Sequence, residues 1–488
     1  MSTDPRLQTF CSHQGLDVFH SITHQNQIWK PDPYDIETIH AAGRAAYERL
    51  LNRIDSNTVS DSGRILLLLG ESGAGKTHLM RAFRNQTHEQ QKGFFSYMQM
   101  TSAVSNYARY VLRNTIDSFD KPYYEPFGTT TGLIKLSNAL AEDATAVSAN
   151  ELTRLRESEL SPDALVDLIY PIADRIVALE RFQGIDIDLI RALLYLQPGQ
   201  PAINAKIFKL IRCEPLTTYD SKVLGGMAAR AQEDDPLRML QSLARLIQAV
   251  TDGAFVICLD QLEDIHGMDE AATRFRRAVQ TIVTLAEIPN VVVVLSCLEI
   301  FYDILKENLP KSHLDRLEMD PLPVTLKAQR IEEEIQQILA RRLQYLFELT
   351  DTPFADDSSI FPFPPATIQT LANRTTRDVL EWCRRKREES IATGNEPTLY
   401  GGDDPDTKDI SKLSQFWSDH LTKNVDLPEA DQEFLALIGQ SIERCAQELG
   451  NGYHFATQVS GDYLSTTVQA APEAITETLL LGMCQKSA

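Results

Sequence analysis

The chain has 488 residues, with 47 Lys and Arg against 68 Asp and Glu, for a formal charge of −21. That length predicts about three domains, and 43% hydrophobic with 24% charged residues is a globular composition, which excludes a disordered or fibrous chain. The acidity speaks against a whole surface built to neutralise nucleic-acid phosphates, although a local basic patch is compatible with it. No run of about 18 apolar residues is available to span a membrane. The opening MSTDPRLQTFCSHQ has neither a basic n-region nor an apolar h-region, so a soluble, cytoplasmic protein is expected. The seven cysteines are odd in number and scattered without a CxxC pair, as for reduced thiols, and exclude a cysteine zinc ribbon.

In chain order, DIETIHAAGRAAYERLLNRI (35–54) places Ile36, Ile39, Ala46, Leu50 and Ile54 on one helical face, with Gly43 on the same stripe. A strand over 64–69, a glycine-rich turn, a helix from Lys76 to about Arg84 and a second strand over 93–100 follow. Residues 101–250 are almost entirely helix-patterned. FVICLD (255–260) and VVVVLS (291–296) are continuous apolar runs, the pattern of strands buried on both faces of a parallel sheet. IEEEIQQILARRLQYLFEL (331–349) reads as a long amphipathic helix, and 364–389 as two more. TGNEPTLYGGDDPDTK (393–408) has the composition of a linker. Helices over 411–424 and 429–449 and β-like runs near 453–468 and 474–484 complete the pattern. The abrupt close after ITETLLLGMC suggests a truncated or unfinished β-containing domain. The expected division is an N-terminal helical segment (1–60), an α/β core (61–325) with a helical insertion at about 101–250, a helical stretch closing over it (326–392), a linker (393–410) and a C-terminal α+β region (411–488).

The most specific signal is GESGAGKT (70–77), which fits GxxxxGK[ST] at every fixed position. Gly70, Gly73 and Gly75 allow turns that aim backbone N–H groups at one point, and the following helix adds its positive end. The cradle comprises Gly70, Glu71, Ser72, Gly73, Ala74, Gly75, Lys76, Thr77 and the adjoining His78. Lys76 supplies a mobile cation for the β- and γ-phosphates, and Thr77 a hydroxyl for Mg²⁺. Asp260, at the end of a buried strand, would hold the same ion through water. Gln261 follows it and can orient water but not take a proton, so Glu263 and Asp264 are the candidate bases. Trp29, Pro31 and Tyr34 form either an apolar slot for adenine or simple packing. His20 and His24, four apart with His13 nearby, have no acidic or cysteine companion and are not read as a metal site.

In these motifs the chain resembles AAA+ ATPases. DQLED (260–264) is similar to the Walker B string of STAND-type NTPases, a resemblance that favours Glu263 over Asp264 and implies slow hydrolysis. Ser296 matches the sensor 1 position, or is an ordinary strand-end serine. The stretch 313–343 resembles the region that closes such a core and opens its lid. It places Arg316 either as an arginine finger for a neighbouring subunit or in a surface ion pair with Asp315 or Glu318. NRTTRDVLEWCRRKRE (373–388) resembles the third lid helix of initiator and STAND clades, with Arg377 at the sensor 2 position and Thr376 where the pattern has proline. The basic run Arg384–Arg387 is flanked by Glu381, Glu388 and Glu389 and reads as a solvated face. The leucine and glycine spacing over 189–247 resembles the insertion of ATPases from prokaryotic phage-defence clusters, including BREX-type ATPases. Together these resemblances imply an α/β P-loop NTPase with a parallel sheet core, a helical lid, ATP and Mg²⁺ as cofactors, and homo-oligomers acting with partner proteins of a defence or DNA-processing complex. A nucleotide-binding scaffold with little hydrolysis and an initiator-like DNA-binding ATPase are the alternatives.

Overall fold

The computed structural model describes residues 4–399, apart from 14–16, 21–24, 56–61, 101–103, 105, 144, 158, 266–270 and 355–358, and then 436–441, 443–444 and three strands within 453–482. The chain divides into two compact units, Met1–Leu399 and Tyr400–Ala488.

The first unit is built on strands β1 (Arg64–Gly70), β2 (Gly93–Gln99), β3 (Ala254–Asp260), β4 (Val291–Cys297) and β5 (Val324–Leu326). They form one parallel sheet in the order β2-β3-β4-β1-β5. Alternate side chains feed two separate cores. Ile65, Leu67, Phe255, Ile257, Val293 and Leu295 pack with the inserted helices on one face. Leu66, Leu68, Val256, Val292 and Val294 pack on the other, with helices Ala41–Asp55 and Lys76–Glu89. Burial on both faces is why the strand sequences are apolar without alternation. The fold is thus the α/β P-loop architecture expected from the sequence.

The connection from β2 to β3 is helical. Helix Tyr107–Phe119 lies along β2, and helix Asp235–Thr251 packs on it and on β3, with the remaining inserted helices between them in sequence.

The helix expected to begin near residue 35 begins at Ala41. His40 takes φ 59°, which breaks the helical path before it. Ile36 and Ile39 consequently pack against the lid, whereas Ala46 and Leu50 lie in the sheet core. Gly43 has a packing reason: a Cβ there would come within 3.0 Å of Leu79 Cδ2, so glycine lets this helix seat closely on the P-loop helix.

Helices Glu332–Leu349, Thr367–Leu371 and Thr376–Thr393 form a third apolar cluster around Ile335, Leu339, Leu343 and Val379. The beginning of the chain belongs to this lid. Phe10 and Phe19 meet the Phe363 ring edge-on at 5.2 and 5.7 Å, Arg387 Nε donates to Phe10 O at 3.3 Å, and Arg342 Nη1 donates to Val18 O. Phe10, Val18 and Phe19 therefore pack with the lid, while Ala41–Asp55 packs on the sheet.

In the second unit β6 (Tyr453–Ser460), β7 (Tyr463–Ala470) and β8 (Thr476–Gly482) form an antiparallel meander. Residues 436–441 are helical. Most of the expected linker, the helix over 411–424 and most of that over 429–449 lie outside the described residues. Among the described residues no helix is long and apolar enough to cross a membrane.

Candidate nucleotide site

A cleft of about 360 Å³ opens where β1 and β3 end, walled on one side by the P-loop and on the other by the lid. Ser72, Gly73, Ala74, Gly75, Lys76, Thr77 and His78 line it, with Asp260, Gln261, Glu263 and Arg377. Gly73 and Gly75 take φ 78° and 95°, the left-handed conformations that the turn demands. Gly70 and Glu71 contribute from beneath: their carbonyls accept from Lys76 Nζ at 2.8 and 3.0 Å. Burial pulls the Lys76 ammonium below its ordinary value, and the nearby Glu263 and Asp260 oppose that shift. The helix that starts at Lys76 has no side-chain cap on its first turn, which leaves its N–H groups to an anion.

The fully buried Asp260 collects three hydroxyls. Thr77 Oγ1 donates to Oδ2 at 2.6 Å and Tyr97 OH to the same oxygen at 2.9 Å. Ser296 Oγ donates to Oδ1. Ser296 therefore sits behind Asp260, itself fully buried, and does not line the cleft. Gln261, at φ 60°, directs its N–H to Asp260 Oδ1 at 3.1 Å and Ser296 Oγ at 3.2 Å. Of the two candidate bases, Glu263 lines the cleft and Asp264 does not. Burial raises the Glu263 carboxyl above its usual range, partly offset by Lys76 and by the Leu298 N–H, which donates to Oε2 at 3.1 Å.

The remaining expected positions are spread. Arg377 is exposed at the cleft rim, with no ion-pair partner among the described residues. Arg316 lies with Arg64 and Ile65 at the start of β1, the end opposite the P-loop, and is 4.0 Å from Glu287 rather than paired to Asp315 or Glu318. Trp29 is not in the cleft: it meets Phe95 edge-on at 6.3 Å in the sheet core. The apolar wall is made instead by Tyr34, Ile36, Ile39, Ile338 and Leu380, so the slot forms between the pre-core segment and the lid. The Pro31 carbonyl accepts from Arg81 Nη2 at 2.7 Å. His78 faces Asp32 at 3.2 Å and Asp35 at 3.4 Å. His20 lines the cleft, His24 lies outside the described residues, and no group of three or more metal-ligating side chains occurs among the described residues. The run Arg384–Lys386 is paired within its own helix, to Glu381, Glu388 and Glu389.

Three polar residues in this region were not singled out by the sequence: Tyr97, His40 and Arg330. Tyr97 carries a faint signal, a phenol hydroxyl beside Ser96 in a mostly buried strand. His40 and Arg330 meet only through the fold.

The donor set fits a nucleoside triphosphate with Mg²⁺. Uncapped helical N–H groups and Lys76 would hold phosphate, and Thr77 with Asp260 would supply the one or two protein oxygens that Mg²⁺ uses when phosphates complete its shell. The AAA ATPase domain family matches residues 42–295, just over half of the 488. The chain belongs to that family of P-loop ATPases, whose members bind ATP with Mg²⁺. No curated protein matches the chain.

Proposed function

We propose that the protein binds ATP·Mg²⁺ in this cleft, hydrolyses it slowly, and uses the nucleotide state to switch lid position and self-assembly. The supporting observation is the composition of the cleft wall, which joins P-loop, strand ends and lid around one cavity. Lys76 and the first-turn N–H groups would hold the phosphates, and Thr77 and Asp260 the metal. Bound Mg²⁺ neutralises phosphate charge. Glu263 would take the proton of an attacking water, a role supported by its position in the cleft and by the burial that raises its basicity. The STAND-like DQLED string and the insertion's resemblance to BREX-type ATPases support a role with partner proteins in antiviral defence or DNA processing.

Steady-state phosphate release tests this reading. Glu263→Gln should lose about 10²–10⁴-fold in turnover, the range for a general base, while ATP affinity stays near wild type. Equal turnover in the two proteins would remove Glu263 as base. A second reading, a nucleotide-binding scaffold with little hydrolysis, is favoured by Gln261 in place of the usual acid. Under it, wild type and Glu263→Gln would be equally inactive, and ATP would still change the mass in solution.

A further inference from the structure

The P-loop carbonyl of Ala74 is gripped by two side chains that line the cleft. His40 Nε2 lies 2.7 Å from it and Arg330 Nη2 donates to it at 2.9 Å. A carbonyl can only accept, so a proton on Nε2 satisfies this contact, the shorter of the two that Nε2 makes, the other being to Arg330 Nη2 at 3.1 Å. The peptide that follows is planar and trans, with its oxygen and the next N–H on opposite edges. Fixing Ala74 O therefore fixes the direction of the Gly75 N–H, in the residue just before Lys76.

Arg330 is not an ordinary part of the P-loop environment. It stands after β5, where the chain leaves the sheet for the lid. Its backbone N–H donates to Arg374 O at 2.9 Å, and its carbonyl accepts from the Asn373 N–H at 2.9 Å. The guanidinium nitrogens diverge: Nη2 to the Ala74 carbonyl and, at 3.1 Å, to His40 Nε2, Nε to the Thr376 Oγ1 at 2.7 Å, and Nη1 to the Glu334 carboxylate at 3.7 Å. Glu334 is in the first lid helix, and Thr376 opens the last, one residue before Arg377. The side chain is 2% exposed, so the fork is held by packing as well as by hydrogen bonds.

We infer that Arg330 is a positioning residue that couples lid angle to P-loop geometry, aiming the Gly75 N–H at phosphate only while the lid is docked. The inference rests on the reading of this cleft as the nucleotide site. Lys cannot replace Arg here, because one ammonium cannot serve three divergent acceptors. Thr376 supplies the cleaner test, since its hydroxyl touches the arginine and not the P-loop.

The experiment uses the full chain and the variants Thr376→Val, Arg330→Lys, their double, and Lys76→Ala. ATP affinity and phosphate release are measured, with backbone hydrogen exchange over residues 373–380 at saturating ATP. Each single variant should weaken ATP binding about tenfold, the loss of roughly one charge-assisted hydrogen bond. The double should be no worse than Arg330→Lys, because both break one link. ATP should protect 373–380 in wild type and fail to do so in the saturated variants, a readout that a merely stabilising residue would not move. If Arg330→Lys does not fold, Thr376→Val carries both measurements alone. Affinity within twofold of wild type, multiplying penalties in the double, or undiminished ATP protection of 373–380 would each overturn the coupling. Lys76→Ala separates the failures: if it too binds ATP normally, the nucleotide-site reading itself falls; if only it loses ATP, the coupling alone is wrong.

Discussion

Replacing Tyr97 with Phe removes one of three hydroxyls that converge on a fully buried carboxylate. A hydrogen bond to a charged group contributes about 1.5–3 kcal/mol, so Tyr97→Phe should lower the unfolding free energy by that much, read as a lower denaturant midpoint with no change in slope. A loss under about 0.5 kcal/mol would show that Asp260 needs no third donor. His40 behaves differently. Burial, then the Arg330 guanidinium, pushes it down from 6.5 to about 4. The folded protein thus resists a proton that the unfolded chain accepts, and stability should fall as pH drops from about 6.5 to about 4, with no contribution from this group above that window. His88, fully buried and also shifted down, adds to the same slope. Urea titrations at pH 7 and 5 should show a smaller difference in His40→Asn than in wild type; an identical difference would assign the slope to His88 and the rest of the chain. The residues at fixed motif spacing, Gly70 to Thr77 and Asp260, could be read directly. His40 and Arg330 could not, because 290 positions separate them and only the fold brings them to one carbonyl.

At the scale of elements, periodicity reports burial but not which core receives the side chain. Ile36 and Ile39 share a helical stripe with Ala46 and Leu50 in sequence, yet His40 turns the chain and sends the pairs to different clusters. Trp29 misleads for the same reason: an aromatic ahead of the core is apolar enough for a base slot or for the sheet, and the sheet takes it. The strands were legible because two-sided burial leaves an unmistakable apolar run. The lid's dependence on the beginning of the chain was not, since Phe10 and Phe19 sit among polar residues with no period. Phe10→Ala should cost about 3–5 kcal/mol, as for large aromatic truncations in a core. The loss should appear as earlier melting of the lid; proteolysis at 360–390 no faster than in wild type would show that the aromatic cluster is dispensable.

For the whole molecule, the position of Arg316 sets a condition on assembly. It lies at the opposite end of a seven-residue strand from the P-loop, roughly 20 Å at strand rise, beyond the reach of an arginine side chain. Any phosphate it serves belongs to another copy. If Arg316 is such a finger, Arg316→Ala should leave ATP binding by a monomer intact and depress turnover or ATP-stabilised assembly. Trans arginine fingers contribute roughly 10³–10⁵ in rate, and a slow enzyme will show less. Mixing Arg316→Ala with Lys76→Ala should restore part of the activity, because one hybrid interface pairs an intact finger with an intact P-loop. A mixture as inactive as its components, with hybrid assembly confirmed, would reject the intersubunit role. The −21 charge and the internally paired run at 384–386 leave the DNA-binding alternative without a supporting contact among the described residues.

The docking of Phe10 and Phe19 onto Phe363 also orders events on the ribosome. The contacting residues are separated by about 350 positions, or roughly 20–70 s of synthesis at 5–20 residues per second. Throughout that interval Phe10 and Phe19 have each other but lack the Phe363 ring, and are open to holding chaperones. The sheet can close meanwhile, since its last strand precedes the lid. The wall that Ile338 and Leu380 give to the cleft follows the sheet in the chain, so an incomplete chain should stay silent toward ATP until the lid has emerged and captured Phe10 and Phe19.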